Sequence, residues 1–382
     1  MSSIDAARHT RFASVDTFRG AVLALMLFTP ATSAAGYAWL RHAEWDGLTA
    51  SDWLFPTFLV TSGLSLSFLL RPRTAESGRP ASTTYVRLIR RLVLLIVAGL
   101  VYNAYGDSWF DLGELRFTGV LQMIGIAGAV AAAAALAGRA LGGGQKTWWI
   151  VALATAITLL YGVGLDVASC DPAGRCSPYL GIDTALLGDS HVYRAGQAGW
   201  DPEGIVTSIA SSALVLYGFA AGVLLQRHGR ASHTQTVARV AALAALCFAG
   251  GLVAAQWLPA NKRLLTPAFV LLAAGTALAV FCIVYLLVDA TQRASSNSGP
   301  PRAAWPFIAL GRNALIVFLA ERFLLQTARR VRLGDRSIQE RLLQDVLPFG
   351  EPAVHLAYTA VLLVIVTLIV GVLHRRRLYL AL

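Results

Sequence analysis

Apolar runs close to bilayer length alternate with short polar breaks from residue 16 to residue 373. A helix needs about 20 apolar residues to cross the hydrocarbon core. On that measure the pattern predicts ten spans: 16–38, 52–70, 88–105, 117–138, 147–165, 204–226, 236–257, 264–288, 305–325 and 353–373. The expected fold is therefore all-α, a polytopic membrane bundle. Residues 1–15 are polar and are expected to be a cytoplasmic N-terminal segment without a cleavable leader. Residues 16–382 form one membrane domain, with no soluble domain expected at either end. Most breaks are short and rich in turn residues, such as 142–144 (Gly-Gly-Gly) and 295–301 (Ser-Ser-Asn-Ser-Gly-Pro-Pro), which read as flexible connectors. The longest break is 166–203. No repeat with matching motifs is visible, which speaks against a transporter built from inverted halves.

Composition fits this reading. Of 382 residues, 56% are hydrophobic and only 14% charged, more apolar surface than a soluble chain of this size could bury. The net charge of +11 would suggest nucleic acid in a soluble protein. Here it is better explained by arginines flanking membrane spans on the cytoplasmic side. Arg71, Arg73, Arg87, Arg90, Arg91, Arg139, Lys146, Arg227 and the terminal Arg375, Arg376 and Arg377 share that side when both termini are placed in the cytoplasm. Segment 326–352 breaks the bias with Arg329, Arg330, Arg332, Arg336 and Arg341 on the predicted outer side. Its apolar spacing is helical and amphipathic, so it is expected to lie on the membrane surface.

The same topology gathers polar groups at two ends. At the outer end, residues 41–56 hold His42, Glu44, Asp46 and Asp52 between two apolar segments. Ionisable groups at a membrane boundary are costly and mark a candidate site; the alternative is a solvated loop whose histidine caps a helix. Asp189 and His191 lie in a second outer cluster, Asp201 and Glu203 in a third, and Asn261, Lys262 and Arg263 in a fourth. Asp201 and Glu203 also suit a helix N-terminus electrostatically. Cys170 and Cys176 share the long outer loop around a Pro-Gly turn in an oxidising compartment, which predicts a disulfide and no metal. Cys247 and Cys282 read as small core residues. At the inner end, Arg19, Arg87, Arg90 and Arg91 are either topology anchors or a guanidinium cluster for phosphates. An acid/base site outside and a phosphate site inside suggest group transfer across the membrane, from a phosphorylated donor to an outer acceptor.

Several motifs make the chain similar to a known family. They are residues 14–20 (Ser-Val-Asp-Thr-Phe-Arg-Gly), 42–49 (His-Ala-Glu-Trp-Asp-Gly-Leu-Thr) with Asp52 and Phe55-Pro56, and 119–122 (Gly-Val-Leu-Gln). Then follow 187–193 (Leu-Gly-Asp-Ser-His-Val-Tyr), 201–205 (Asp-Pro-Glu-Gly-Ile), 259–262 (Pro-Ala-Asn-Lys) and 311–314 (Gly-Arg-Asn-Ala). In this order, over residues 11–320, the chain resembles the heparan-α-glucosaminide N-acetyltransferase family of transmembrane acyltransferases, bacterial members included. The resemblance implies transfer of an acetyl or other short acyl group from cytoplasmic acetyl-CoA to an amino or hydroxyl group of an extracytoplasmic sugar or glycoconjugate, without a metal. It implies His42 as catalytic residue. Arg19, Arg87, Arg90, Arg91 and Gln122 are then expected on the acyl-CoA, and Asp46, Asp52, Asp189, His191, Glu203, Asn261, Lys262 and Asn313 on the acceptor. Membrane lipids and a second copy of the chain are the other expected partners, nucleic acid is not, and the expected location is a bacterial plasma membrane.

Two departures stand out. The family's asparagine late in the first span is missing, and Thr29 or Thr32 stands nearest to its place. Its Val-Leu-Gln-Arg pattern reads Val120-Leu121-Gln122-Met123 here. An envelope sugar therefore fits better than heparan. The rival reading is a multi-pass transporter of a polar solute without acyl transfer.

Overall fold

A computed structural model describes residues 12–33, 37, 40–71, 82–108, 110–140, 146–167, 175–228, 232–291, 300–346 and 353–379. Cys170 lies outside them, and so do the side chains of Thr29 and Thr32. In chain order the helices are α1 (Ala13–Ser33), α2 (Leu54–Leu69), α3 (Ser82–Asn103), α4 (Val120–Ala140), α5 (Thr147–Val167) and α6 (Leu180–Leu187). There follow α7 (Ile205–Ala210), α8 (Ser212–His228), α9 (His233–Ala254), α10 (Pro267–Tyr285), α11 (Trp305–Arg312), α12 (Ala314–Arg330), α13 (Ile338–Arg341) and α14 (Ala353–Arg375). Among the described residues, one two-residue hairpin, β1 (Arg332–Leu333) and β2 (Arg336–Ser337), is all the sheet there is.

Among the described residues, six stretches are long and apolar enough to cross a membrane: α4, α5, Ile205–Arg227, α9, Pro267–Ala290 and α14. A seventh forms if α11 and α12 are taken together across their 79° bend. The chain is an integral membrane protein. The other predicted spans are helical but meet that test less well. The 16 residues of α2 reach about 24 Å at 1.5 Å per residue, short of a core of about 30 Å. In α3, Arg87, Arg90 and Arg91 interrupt the apolar run.

Small residues set the centre of the bundle. A Cβ on Gly63 of α2 would lie 1.9 Å from the Val215 carbonyl oxygen, and one on Gly218 of α8 would lie 2.0 Å from that of Val60. These two backbones meet directly, as membrane helices do where dispersion and not water drives packing. α8 is buried almost throughout, whereas Leu160, Val253 and Leu368 on outer helices face outward, as lipid contact requires.

Within segment 326–352, the described residues 326–346 differ from the single amphipathic helix that the spacing predicts. α12 ends at Arg330, and the chain turns through Gly334 at φ +72° into the hairpin. It restarts at α13, where the Ser337 hydroxyl and the Glu340 carboxylate cap each other's backbone N–H groups. Local turn and capping chemistry outweighs the apolar period here.

Candidate active site

The loop ahead of α2 is organised by one buried carboxylate. Asp52 sits in the 3-10 turn Ala50–Trp53 and is 1% exposed. Its Oδ2 accepts from the Ala43 N–H (3.1 Å), the Thr49 N–H (3.1 Å) and the Thr49 hydroxyl (3.0 Å). Its Oδ1 lies 2.7 Å from Nδ1 of His42, whose side chain is half exposed. Burial alone would raise the Asp52 pKa. The His42 hydrogen bond, the Lys262 charge and the two backbone N–H groups outweigh it and hold the carboxyl well below its usual range. An ionised carboxylate only accepts, so Nδ1 carries a proton, and in the neutral ring Nε2 then presents a lone pair.

Lys262 closes this group from the far side of the chain. Its Nζ is 3.4 Å from Asp52 Oδ1 and 3.2 Å from His42 Nδ1. An ammonium is also only a donor, so in this tautomer its partner is the carboxylate and the ring contact is proximity. Burial pulls the lysine pKa down, against the charges of Asp52 and Glu203.

The turn that carries Lys262 clamps the His42 loop. The Asn261 side-chain amide donates to Asp46 Oδ1 at 3.1 Å, and the Gly47 N–H donates to the Ala260 carbonyl at 2.8 Å. The Arg263 guanidinium donates to the Ala43 carbonyl at 2.9 Å and to that of Glu44. It also lies 5.9 Å from the ring centre of Trp45 and 6.0 Å from that of Trp200, and the two indoles meet edge to face at 4.8 Å.

A second network borders the first. Arg116 Nη2 donates to Asp201 Oδ1 (2.6 Å) and Glu203 Oε2 (2.7 Å), and the Thr118 hydroxyl donates to Asp201 Oδ2 (2.6 Å). Asp201 also accepts from the N–H groups of Tyr193 and Glu203. Asp201 is thus the hub of a network; the N-terminus of α7 is satisfied instead by Asp183, which accepts from the Ile205 N–H at 2.8 Å. Burial, helped by the Asp201 charge and opposed by backbone N–H groups, raises the Asp183 pKa to about 6. His191 rests beside this network: its Nδ1 lies 2.8 Å from the Leu115 carbonyl, and its ring stacks on Phe117 at 4.2 Å. Asp189 is exposed on the same turn, and Cys176, in the loop before α6, is disulfide-bonded.

The opposite end of the bundle is cationic. Arg19 donates to the Gly311 carbonyl (2.6 Å), the Ser65 hydroxyl (3.0 Å) and Asp16 (3.1 Å), and Arg312 also binds Asp16 (3.0 Å). Arg91 donates to the Ser62 hydroxyl at 2.8 Å, and no ion pair joins it to a described carboxylate. It lines a narrow cleft with Leu66, Leu88, Gly125 and Gly128, where a Cβ on Gly128 would meet open space. Arg87 and Arg90 are exposed. Gln122 stands apart from these arginines: it is 4% exposed near Gly99 and Asn103, and both its amide atoms lack a hydrogen-bond partner among the described residues. Asn313 is buried at the bend between α11 and α12, whose neighbour Gly311 packs on Asp16. It therefore lies with the Arg19 group and apart from His42.

The structure thus brings His42, Asp46, Asp52, Asn261, Lys262 and Glu203 to one end, with His191 and Asp189 beside them. Arg116, Thr118, Arg263 and Trp200 join them without a strong sequence signal, although Arg263 adjoins a predicted residue. No family model matches the chain. It is similar to heparan-alpha-glucosaminide N-acetyltransferase of Mus musculus, 26% identical over 397 positions that cover 88% of this chain and 57% of that protein. The Homo sapiens protein of the same name is also 26% identical, over 81% of this chain and 52% of its own length. The chain spans about half the length of these curated relatives. This similarity supports a distant relationship between the chain and the heparan-alpha-glucosaminide N-acetyltransferases.

Proposed function

We propose that this protein is a membrane acyltransferase that moves an acetyl or other short acyl group from cytoplasmic acyl-CoA to an amino or hydroxyl group of an extracytoplasmic sugar or glycoconjugate, with His42 at the reacting centre. The observation that carries the reading is the His42–Asp52 pair. Asp52 fixes the Nδ1–H tautomer and leaves Nε2 free as a base or nucleophile. As base, Nε2 takes the acceptor's proton while the acceptor atom bonds to the thioester carbonyl carbon. The C–S bond breaks, and the imidazolium returns the proton to the leaving thiolate. As nucleophile, Nε2 bonds to the carbonyl carbon as the C–S bond breaks and the thiolate leaves; the acceptor atom then takes the acyl group as the Nε2–C bond breaks, and the acceptor's proton passes to the thiolate. The relatives' printed name supports the reaction class and an amino sugar as acceptor.

On this reading ten helices cross the membrane with both termini inside. The donor's phosphates meet Arg91, with Arg87 and Arg90 at the rim and Arg19 behind. The cleft along α3 and α4 receives the thin donor arm, and the buried Gln122 amide lies further along the same helix pair, toward the His42 end. Among the described residues Arg91 has no carboxylate partner and Gln122 no partner at all, and both support such a ligand, because buried polar groups are rarely left unmatched.

The test is purified protein supplied with acetyl-CoA and glucosamine. The expected result is CoA release that requires the acceptor and is lost in His42→Ala. Glucosamine uptake into vesicles without CoA release would replace this reading with the transporter.

A further inference from the structure

Trp45 and Trp200 have no part in the chemistry above, yet they sit at its edge. Trp45 is three residues from His42, and Trp200 comes from the loop ahead of Asp201. Both indoles are half-buried, so each keeps ring surface open to solvent. Their edge-to-face contact at 4.8 Å joins two loops that are 155 positions apart in sequence. Arg263, bonded to the Ala43 and Glu44 carbonyls, holds the Trp45 loop in this position. Lys262, next in the chain, touches His42.

An indole is a large, stiff apolar plate with a polar edge, suited to ligands that are apolar on one face and wet on the other. A pyranose has that character: its ring C–H groups form an apolar face and its hydroxyls a polar rim. The groups around the plates suit such a rim. Glu44 and Asp46 are exposed on the Trp45 loop, and Glu203 stands near Lys262. Carboxylates of this kind accept hydrogen bonds from hydroxyls and from an ammonium.

We propose that Trp45 and Trp200 form an acceptor platform beside His42, on which a pyranose ring stacks so that its amino or hydroxyl group faces the imidazole. This rests on the acyltransferase reading for its consequence and on the indole pair for its site. Trp200 is the specificity-determining residue, because it binds no part of the His42 loop by hydrogen bond. Arg263 is a positioning residue, because its guanidinium is already engaged by two carbonyls.

Two readouts test it. In saturation-transfer NMR on the full-length protein in detergent, methyl glucosaminide should show its strongest signal on the ring C–H groups, and Trp200→Ala should remove that signal. In turnover assays, Trp200→Ala should raise KM for glucosamine at least tenfold and leave kcat/KM for 2-aminoethanol, which has no ring, unchanged. Trp200→Phe should recover part of the glucosamine KM. Equal losses for glucosamine and 2-aminoethanol would make the pair a structural fastener and overturn the proposal. An unchanged NMR signal in Trp200→Ala would also overturn it. If no acceptor is acylated by wild-type protein while the Trp200-dependent NMR signal is present, the platform stands and the acyltransferase reading falls.

Discussion

His42 and His191 are two histidines near one end of the same bundle, and both use Nδ1 to bind a neighbour, with no partner for Nε2 among the described residues. They differ in what holds Nδ1. His42 donates its Nδ1–H to a buried, ionised carboxylate, whereas His191 donates its own to the Leu115 carbonyl and lies flat on Phe117. A carboxylate stabilises the imidazolium that proton transfer creates, and a neutral carbonyl does so far less. The surroundings of Asp52 differ in kind as well. Its remaining oxygen is matched by two backbone N–H groups and a hydroxyl, so it stays charged without distorting its loop. Motif and burial alone do not separate the two histidines; the acceptor on Nδ1 does.

His42→Ala is the sharpest way to break that comparison. Loss of a positioned base costs roughly 10²–10⁴-fold in rate, so CoA release in the presence of acceptor should fall to background. His191→Ala should stay within about tenfold of wild type, an allowance that covers loss of the Phe117 stack. Near-wild-type turnover in His42→Ala would hand the role to its rival.

Asp52→Asn addresses the cause of the difference. An amide can donate to Nδ1, which favours the opposite tautomer and turns the free lone pair into an N–H. Activity should drop about 10²-fold or more, and acyl-CoA affinity should stay near wild type. Affinity is read by calorimetry, so a collapsed fold would be recognised by loss of both.

Part of this was legible in the sequence. The apolar runs marked the long helices of the bundle, though not the short α6 inside the break at 166–203, and the motif at 42–49 with Asp52 pointed to the cluster proposed as the site. What was not legible depends on contacts between distant loops. Arg116 reaches Asp201 across 85 positions and Arg263 reaches Ala43 across 220, and neither spacing leaves a local pattern. Asp201 looked like a helix cap because it precedes α7, but the cap comes from Asp183, some twenty residues earlier. The basic segment after α12 misled for a related reason: its apolar spacing is helical, and only the Gly334 turn and the Ser337 cap break it.

Arg91→Ala moves the comparison to the other end of the molecule. Charge-assisted hydrogen bonds contribute about 1.5–3 kcal/mol each, so acyl-CoA binding should weaken roughly tenfold or more. The salt dependence of that binding should become shallower, because one phosphate contact is gone. kcat at saturating acyl-CoA should be preserved, since His42 and Asp52 lie at the far end. Unchanged affinity would leave Arg91 as an anchor of α3 on Ser62.

The smallest effect concerns Asp183, and it separates the acid groups of the site by pH. Its carboxyl ionises at about 6 in the folded protein against 3.8 for the ordinary group. Between those values the folded state holds more protons than the unfolded one, so stability falls as pH rises through the interval and stays low above it. Asp52 behaves oppositely: its pKa is depressed, so its contribution is complete at neutral pH and is lost only under strong acidification. Acidifying from pH 7.5 to 5 should therefore leave the His42 loop locked while it relieves the strain at Asp183, a gain of about 1.4 kcal/mol for the one pH unit below 6 that this range covers. The thermal midpoint of wild-type protein should rise over that range relative to Asp183→Asn, whose amide keeps an acceptor for the Ile205 N–H and does not titrate. Parallel curves for the two proteins would mean that Asp183 stays ionised beside Asp201 at little cost, and that the second network is as well matched as the first.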